Sequence, residues 1–262
     1  LLLRLAARAR AEGLPTVHWV SPQLWAWRPG RAARVAGQVD TLLCLFPFEP
    51  ALYAETGLDV RFTGHPAADR VPWLAARPGA GRVLLAPGSR LAEVRRTWPV
   101  FREVAAALRR RRPACRFAVL AAPEVAGQLG GLDAEVAGPI EGAVADVALA
   151  HTGTVTLELA LRGLPQVAVM KVDPMTWAVG RQLVQARHLA LPNLLAEARV
   201  VPEHHQHLDP EALADALIAL LGEGGEAQRV ALRAPLSAAR GPDAAGLAAS
   251  AVLERLRRGP RR

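Results

Sequence analysis

The chain has 262 residues, 51% of them hydrophobic, and a formal charge of +8. That is enough apolar material for one large core or two small ones, and it excludes disorder as the default state. The basic charge comes from 31 arginines and a single lysine, Lys171. Such a balance is compatible with phosphate-rich ligands or anionic lipid surfaces, but no helix-turn-helix, RNP-type aromatic run or zinc spacing argues for nucleic acid.

No apolar run approaches the length of a membrane span. Cys44 and Cys115 lie far apart in apolar segments, as expected of reduced, buried thiols. Residues 1–13 predict an amphipathic helix rather than a signal peptide, because Arg4 and Arg8 interrupt the apolar run and no small-residue cleavage site follows. Leu1 is not an initiator methionine, so the chain is expected to begin inside a longer protein.

Strands are then predicted at 16–20, 41–46 and 60–62, with a basic helix over 25–38 and another from 48 to about 56. Short loops between alternating helices and strands predict parallel strands with crossover helices. The Pro- and Gly-rich stretch 64–81 lacks sustained periodicity and marks a domain boundary. The expected division is 1–66 and 67–262. Beyond it, strands are predicted at 82–86, 116–121, 134–137, 147–151 and 166–170. Val94, Trp98, Phe101, Val104, Ala105 and Leu108 keep helical spacing and should face a core. Thr97 is expected to cap a new helix where Pro99 interrupts the first. Helices are expected at 174–186, 210–222, 226–238 and 243–258, with a loop over 189–207. The pattern is that of a doubly wound α/β sheet.

In such sheets ligands collect at the carboxyl ends of the strands. The apolar run 82–86 ends in Pro87-Gly88, and Ser89-Arg90 opens a helix. A helix start offers unpaired N–H groups and partial positive charge, Gly88 permits close backbone approach, and Arg90 adds a donor fork, a combination suited to phosphate. The same residues also suit a plain strand-to-helix turn with a solvated arginine. Likewise Thr152-Gly153-Thr154 should turn the chain into a helix carrying Glu158 about one and a half turns in. There it either accepts hydrogen bonds from a ribose diol or is an ordinary solvated residue.

In combination these stretches are specific. VSPQLWAWRPGR (20–31), FPFEPALY (46–53), FTGHPAAD (62–69), LAPGSRLAEV (85–94), TGTVTLELAL (152–161) and LPNLLAEARVVPE (191–203) occur in one order across essentially the whole chain. In this the chain resembles the lipid-A-disaccharide synthases. The resemblance implies a GT-B fold, two Rossmann-like doubly wound parallel-sheet domains of which the first is incomplete here. It implies a transferase that moves 2,3-diacylglucosamine from UDP-2,3-diacylglucosamine to the 6-hydroxyl of 2,3-diacylglucosamine 1-phosphate with inversion, at the cytoplasmic face of the inner membrane.

Carried onto this sequence, the resemblance assigns Gly88, Ser89, Arg90, Thr152, Gly153, Thr154, Glu158 and Asn193 to UDP. Trp25, Trp27, Arg28 and His65 belong to the acceptor side or cleft, with core packing as the alternative for the tryptophans and linker pinning for His65. No metal, no cofactor and no nucleic acid is expected, and a homodimer is compatible. The catalytic base is expected in a segment preceding residue 1. Departures are Met170 and Trp177, where the family tends to have tyrosine, and Glu197-Ala198, where it tends to have Gly-Arg. The rival readings are a non-catalytic nucleotide-sugar-binding module and another GT-B enzyme such as a UDP-N-acetylglucosamine 2-epimerase.

Overall fold

The computed structural model describes residues 2–27, 29–73, 81–140, 142–184, 186–241 and 243–259. The chain divides into two compact units. Unit 1 joins residues 1–70 to 182–186 and 238–262, and unit 2 comprises 71–181 and 187–237. This differs from one cut after residue 66 in that the last helix belongs to the first unit.

Unit 1 contains a parallel sheet of β1 (Val17–Trp19), β2 (Thr41–Cys44) and β3 (Asp59–Phe62), in that order. The run TLLC is buried throughout, as a central strand covered on both faces requires. Leu42 and Cys44 pack with Val35, Val39 and Tyr53, while Leu43 points the other way onto Ala248 and Ala251 of the C-terminal helix, Ala244–Arg258. That helix is also tied by charge. Arg255 donates from Nε to Thr41 Oγ1 at 2.9 Å and from Nη2 to Asp59 Oδ2 at 3.0 Å. The junction closes where two backbones touch. A Cβ on Gly64 would stand 2.3 Å from Gly241 N, and one on Gly241 2.2 Å from Thr63 O, so only glycine fits at either position.

The basic helix expected over 25–38 is broken into a helical turn, Leu24–Trp27, a 3-10 turn, Pro29–Arg31, and a short helix, Ala32–Ala36. The stretch expected as helix from 48 is the 3-10 segment Pro50–Thr56. Proline lacks the N–H that a continuing α-helix needs, and here it sits at the start of each tighter turn.

Unit 2 is built on a six-stranded, wholly parallel sheet. Its strands are β4 (Arg82–Ala86), β5 (Arg116–Leu120), β6 (Glu135–Ala137), β7 (Val147–His151), β8 (Gln166–Met170) and β9 (Glu203–His205), in the spatial order β6-β5-β4-β7-β8-β9. Val83 and Leu85 of β4, Val147 and Leu149 of β7, and Val167 and Val169 of β8 form one face of the core. It is covered by the helix Leu91–Arg111 and by Pro210–Leu220. Val94, Trp98, Phe101, Val104, Ala105 and Leu108 of the first of these are buried as their spacing requires. Removing a side chain such as Phe101 or Leu108 from water contributes roughly 1.5–3 kcal/mol each.

Leu91–Arg111 is one continuous helix of 21 residues with Pro99 inside it, not two. Thr97 does not cap a second helix. Its hydroxyl donates to Pro87 O at 2.7 Å, which ties the helix to the turn after β4.

Residues 189–207, expected as loop, contain a short helix, Leu191–Ala196, and the edge strand β9. The carboxylate of Glu203 organises them. It accepts from the backbone N–H groups of Leu189 and Ala190, from Asn193 Nδ2, and pairs with His205 Nε2 at 3.1 Å. No three-residue apolar run announces β9, since its side chains are Glu, His and His.

Glu197 ends the short helix with φ +51°, in the left-handed region. A side chain with a Cβ costs about 1–2 kcal/mol there, more than the extra chain entropy glycine loses on folding. Glu197→Gly is therefore expected to raise stability by roughly 0.5–1 kcal/mol in urea denaturation. A loss of stability would show that the Glu197 side chain contributes an offsetting interaction.

Candidate functional site

In unit 2 the crossover direction reverses between β4 and β7. β4 pairs with β5 on one side and with β7 on the other, Leu85 in register with Val119 and with Leu149. Connections therefore leave these two adjacent strands in opposite directions, and a crevice opens at their carboxyl ends. The residues found there are Pro87-Gly88-Ser89-Arg90 after β4 and His151-Thr152-Gly153-Thr154 after β7. The two glycine turns singled out in the sequence, 65 residues apart, are thus neighbours.

The turn after β4 is already occupied by a carboxylate of its own helix. Ser89 N and Arg90 N both donate to Glu93 Oε2 at 3.2 Å, and Arg90 Nη1 lies 2.6 Å from Glu93 Oε1. Gly88, at φ +116°, makes this possible, because a Cβ there would stand 2.8 Å from Glu93 Oε2. Burial acts against the Glu93 charge, but hydrogen bonds from the Arg90 side chain and backbone outweigh it and hold the carboxyl below its usual range. The Arg90 side chain is otherwise 81% exposed.

The turn after β7 is open. Gly153 has φ +155° and ψ −162°, a conformation for glycine, and nothing stands within 4 Å of where its Cβ would be. Thr152 N is used by Val169 O at 2.8 Å. The first N–H groups of the helix Thr154–Leu161 have no acceptor within it, as at any helix start. Glu158 lies on that helix, half-buried.

Asn193 is engaged by its own segment. It is wholly buried and donates to Val201 O and Glu203 Oε1 while accepting from Val200 N and Val201 N. Its full hydrogen-bonding capacity is used within the segment 191–203, which it shapes.

In unit 1 the motif residues form an aromatic row. Trp25 meets Phe48 edge-on at 6.0 Å, Phe48 stacks on Phe46 at 5.6 Å, and Phe46 lies 5.8 Å from His65. His65 Nδ1 accepts from Ala67 N at 3.1 Å, so the ring caps the short helix Pro66–Arg70. Burial, and then Arg70, lower its pKa. Arg28 and the side chain of Trp27 lie outside the described residues. Behind the row, Glu49 accepts from Leu45 N and Phe46 N at 2.9 and 3.0 Å. Trp25 Nε1 approaches this carboxylate without completing a hydrogen bond of ordinary geometry.

Two residues of this geometry escaped sequence reasoning. Glu49 stands inside a motif already quoted, five residues after β2, where a carboxylate can reach back to the N–H groups that follow the strand. His151 continues the row Val147, Leu149 onto the same face of β7. A histidine in the next place of an apolar alternation was the available signal.

A parallel sheet with two glycine turns and two helix starts at its topological switch point, in a chain that has a second parallel α/β unit, is the GT-B fold of glycosyltransferases. Two solved structures agree in fold. A spinosyn rhamnosyltransferase complexed with spinosyn aglycone superposes with a TM-score of 0.53 over 97% of this chain and 76% of its own, at 20% identity. The glycotransferase of kitacinnamycin gives 0.58 over 97% and 74%, at 16% identity.

The particular family follows from sequence: residues 1–234 match the lipid-A-disaccharide synthetase family model, and the chain belongs to that family. A lipid-A-disaccharide synthase of Anaeromyxobacter dehalogenans is 38% identical over 88% of this chain and 66% of its own. That of Alkalilimnicola ehrlichii is 40% identical over 96% and 72%. The chain thus spans about two thirds of the length of the curated relatives it matches.

Glu49 has a testable signature. Burial pushes its carboxyl up to about 7, against the hydrogen bonds from Phe46 and Leu45. The folded state then holds a proton that the unfolded state has released between about pH 4.5 and 7, so this group's stabilisation falls as pH rises through that window. Relative to Glu49→Gln, wild-type stability should drop by on the order of 2–3 kcal/mol from pH 4.5 to 7.5. Parallel urea denaturation curves at both pH values check this, and a constant difference between the two proteins would refute it.

Proposed function

We propose that this chain takes part in inverting glycosyl transfer from UDP-2,3-diacylglucosamine to the 6-hydroxyl of 2,3-diacylglucosamine 1-phosphate, releasing UDP. Unit 2 takes the UDP and unit 1 the acceptor. The observation that carries this reading is the convergence of the two glycine turns at the β4–β7 crevice in a chain of this family.

Departure of UDP develops negative charge on the diphosphate, which must be met by groups already in place. The Gly88-Ser89 turn, the Arg90 guanidinium, and the N–H and hydroxyl groups of Thr152 to Thr154 suit that charge. Glu158 suits the ribose diol. Asn193 acts as a positioning residue by shaping the segment beside β9. On the acceptor side, Trp25, Phe48 and His65, backed by the buried Phe46, offer apolar faces to acyl chains, with Trp27 and Arg28 in the same motif. The base for the acceptor hydroxyl is not assigned to a residue of this chain. The reaction needs no metal when an arginine and helix starts carry the leaving charge.

Attachment to the cytoplasmic face of the inner membrane belongs to the same proposal. No helix among the described residues is long and apolar enough to cross a membrane. The helix Pro174–Leu183 buries none of its residues and exposes Met175, Val179 and Leu183 at successive turns, and Leu2–Ala11 exposes Leu2 and Leu5 among arginines. Such faces suit an anionic lipid surface. The protein is expected to float with phosphatidylglycerol vesicles at low salt and to release as salt rises. Retention in the pellet at low salt would remove the attachment.

The donor site is tested by titration with UDP. Saturable binding is expected in the wild type, weakened by about 1–3 kcal/mol in Arg90→Ala and in Glu158→Ala. Folded protein that binds no UDP, or variants that bind as tightly as wild type, would overturn the assignment.

A further inference from the structure

The β4–β7 crevice holds two groups that the reading above leaves unused, and both are charge-bearing. Glu93 fills the turn after β4 with its own carboxylate, on the same N–H groups that would meet a phosphate. His151 closes the other side. It is 7% exposed, and its Nε2 is buried with no hydrogen-bond partner among the described residues. A buried polar nitrogen without a partner costs roughly 1–3 kcal/mol and calls for a reason.

Position supplies that reason. His151 is the last residue of β7, on the face that the helix Leu91–Arg111 covers, and that helix begins with Arg90 and Glu93. These are the charged groups that face the imidazole. Its strand neighbour in register is the apolar Val169. The turn thus presents a carboxylate in an anion's place, an arginine bound to that carboxylate, and a donor-capable nitrogen with nothing to donate to.

We propose that His151 is a further ligand of the diphosphate group taken by this crevice, and that Glu93 acts as an internal anion that the diphosphate displaces. The inference rests on the UDP reading above and deepens it. When the diphosphate enters, Ser89 N, Arg90 N and the Arg90 guanidinium exchange the Glu93 carboxylate for phosphate oxygens. His151 takes one proton from solvent and donates it from Nε2 in a hydrogen bond to phosphate. Burial, opposed by Glu93 and a backbone hydrogen bond at Thr152 and reinforced by Arg90, lowers the pKa of the imidazole beforehand, and binding carries proton uptake at this residue.

The test titrates wild type, His151→Gln, His151→Leu and Glu93→Gln with inorganic pyrophosphate and with UDP between pH 6 and 8. Circular dichroism confirms the fold of each. Both His151 variants are expected to bind either probe about tenfold more weakly at pH 6. Their affinity should also fall less steeply with pH than that of the wild type, which removes the ligands' own titration from the comparison. Glu93→Gln, which leaves the turn without a competing charge, is expected to bind about tenfold more tightly. His151→Leu fills the apolar row of β7 and guards against misreading a packing defect.

UDP binding with unchanged affinity and pH slope in the variants would overturn the inference and leave the UDP reading standing. Pyrophosphate binding that depends on His151 and Glu93, without UDP binding, would uphold the anion site and refute the nucleotide. Failure of both probes on folded wild type would remove both.

Discussion

The carboxyl ends of β4 and β7 are adjacent in space because one strand, β4, pairs in parallel with strands that follow it by opposite routes. Parallel pairing forces every return connection to cross a face of the sheet, and the connections from β4 and from β7 diverge. The features of unit 2 that bear on chemistry lie along that divide: the Gly88 turn, the start of the helix Leu91–Arg111, His151, and the Gly153 turn. Each is ordinary alone, and the topology makes them one site.

The site also illustrates how a helix start satisfies itself. Four N–H groups at a helix N-terminus need acceptors, and Glu93 provides one from the first turn, a local contact that forms as soon as the helix does. The same contact is what an anionic ligand would replace. A turn that keeps its own carboxylate in place has its N–H groups satisfied by the protein itself. Gly88 permits this arrangement sterically, which gives that glycine a role within the protein itself.

Unit 1 is held by a different device. Its three strands are short, and partly buried ion pairs and hydrogen bonds tie them to the first and last helices, with Arg255 reaching Thr41 and Asp59 and with Asp40 bound to Thr16 and Arg10. Charges in such places hold register and orientation more than they add stability, because their desolvation offsets much of the attraction. The backbone contact between Gly64 and Gly241 leaves no tolerance for drift. The aromatic row of Trp25, Phe48, Phe46 and His65 therefore sits on a rigid support.

By itself the sequence determined the strands that are apolar throughout, the helical face from Val94 to Leu108, and the glycine turns at 88 and 153, because each of these is decided by neighbours within a few residues. The class of fold followed from their alternation, and the motifs named the family. What only the tertiary structure decided depends on distant residues. The short strand Glu203–His205 has no apolar run and exists because β8 offers an edge and Glu203 gathers Leu189, Ala190, Asn193 and His205 around one carboxylate. The last helix joined the first unit because Leu43 and Asp59 receive it, 196 residues before Arg255 in the second case. Asn193 is taken up by Val200, Val201 and Glu203 around it, and His151 Nε2 has no hydrogen-bond partner among the described residues. Neither fact can be read from composition or period, since a hydrogen bond is satisfied or not by whatever the fold brings within about 3 Å.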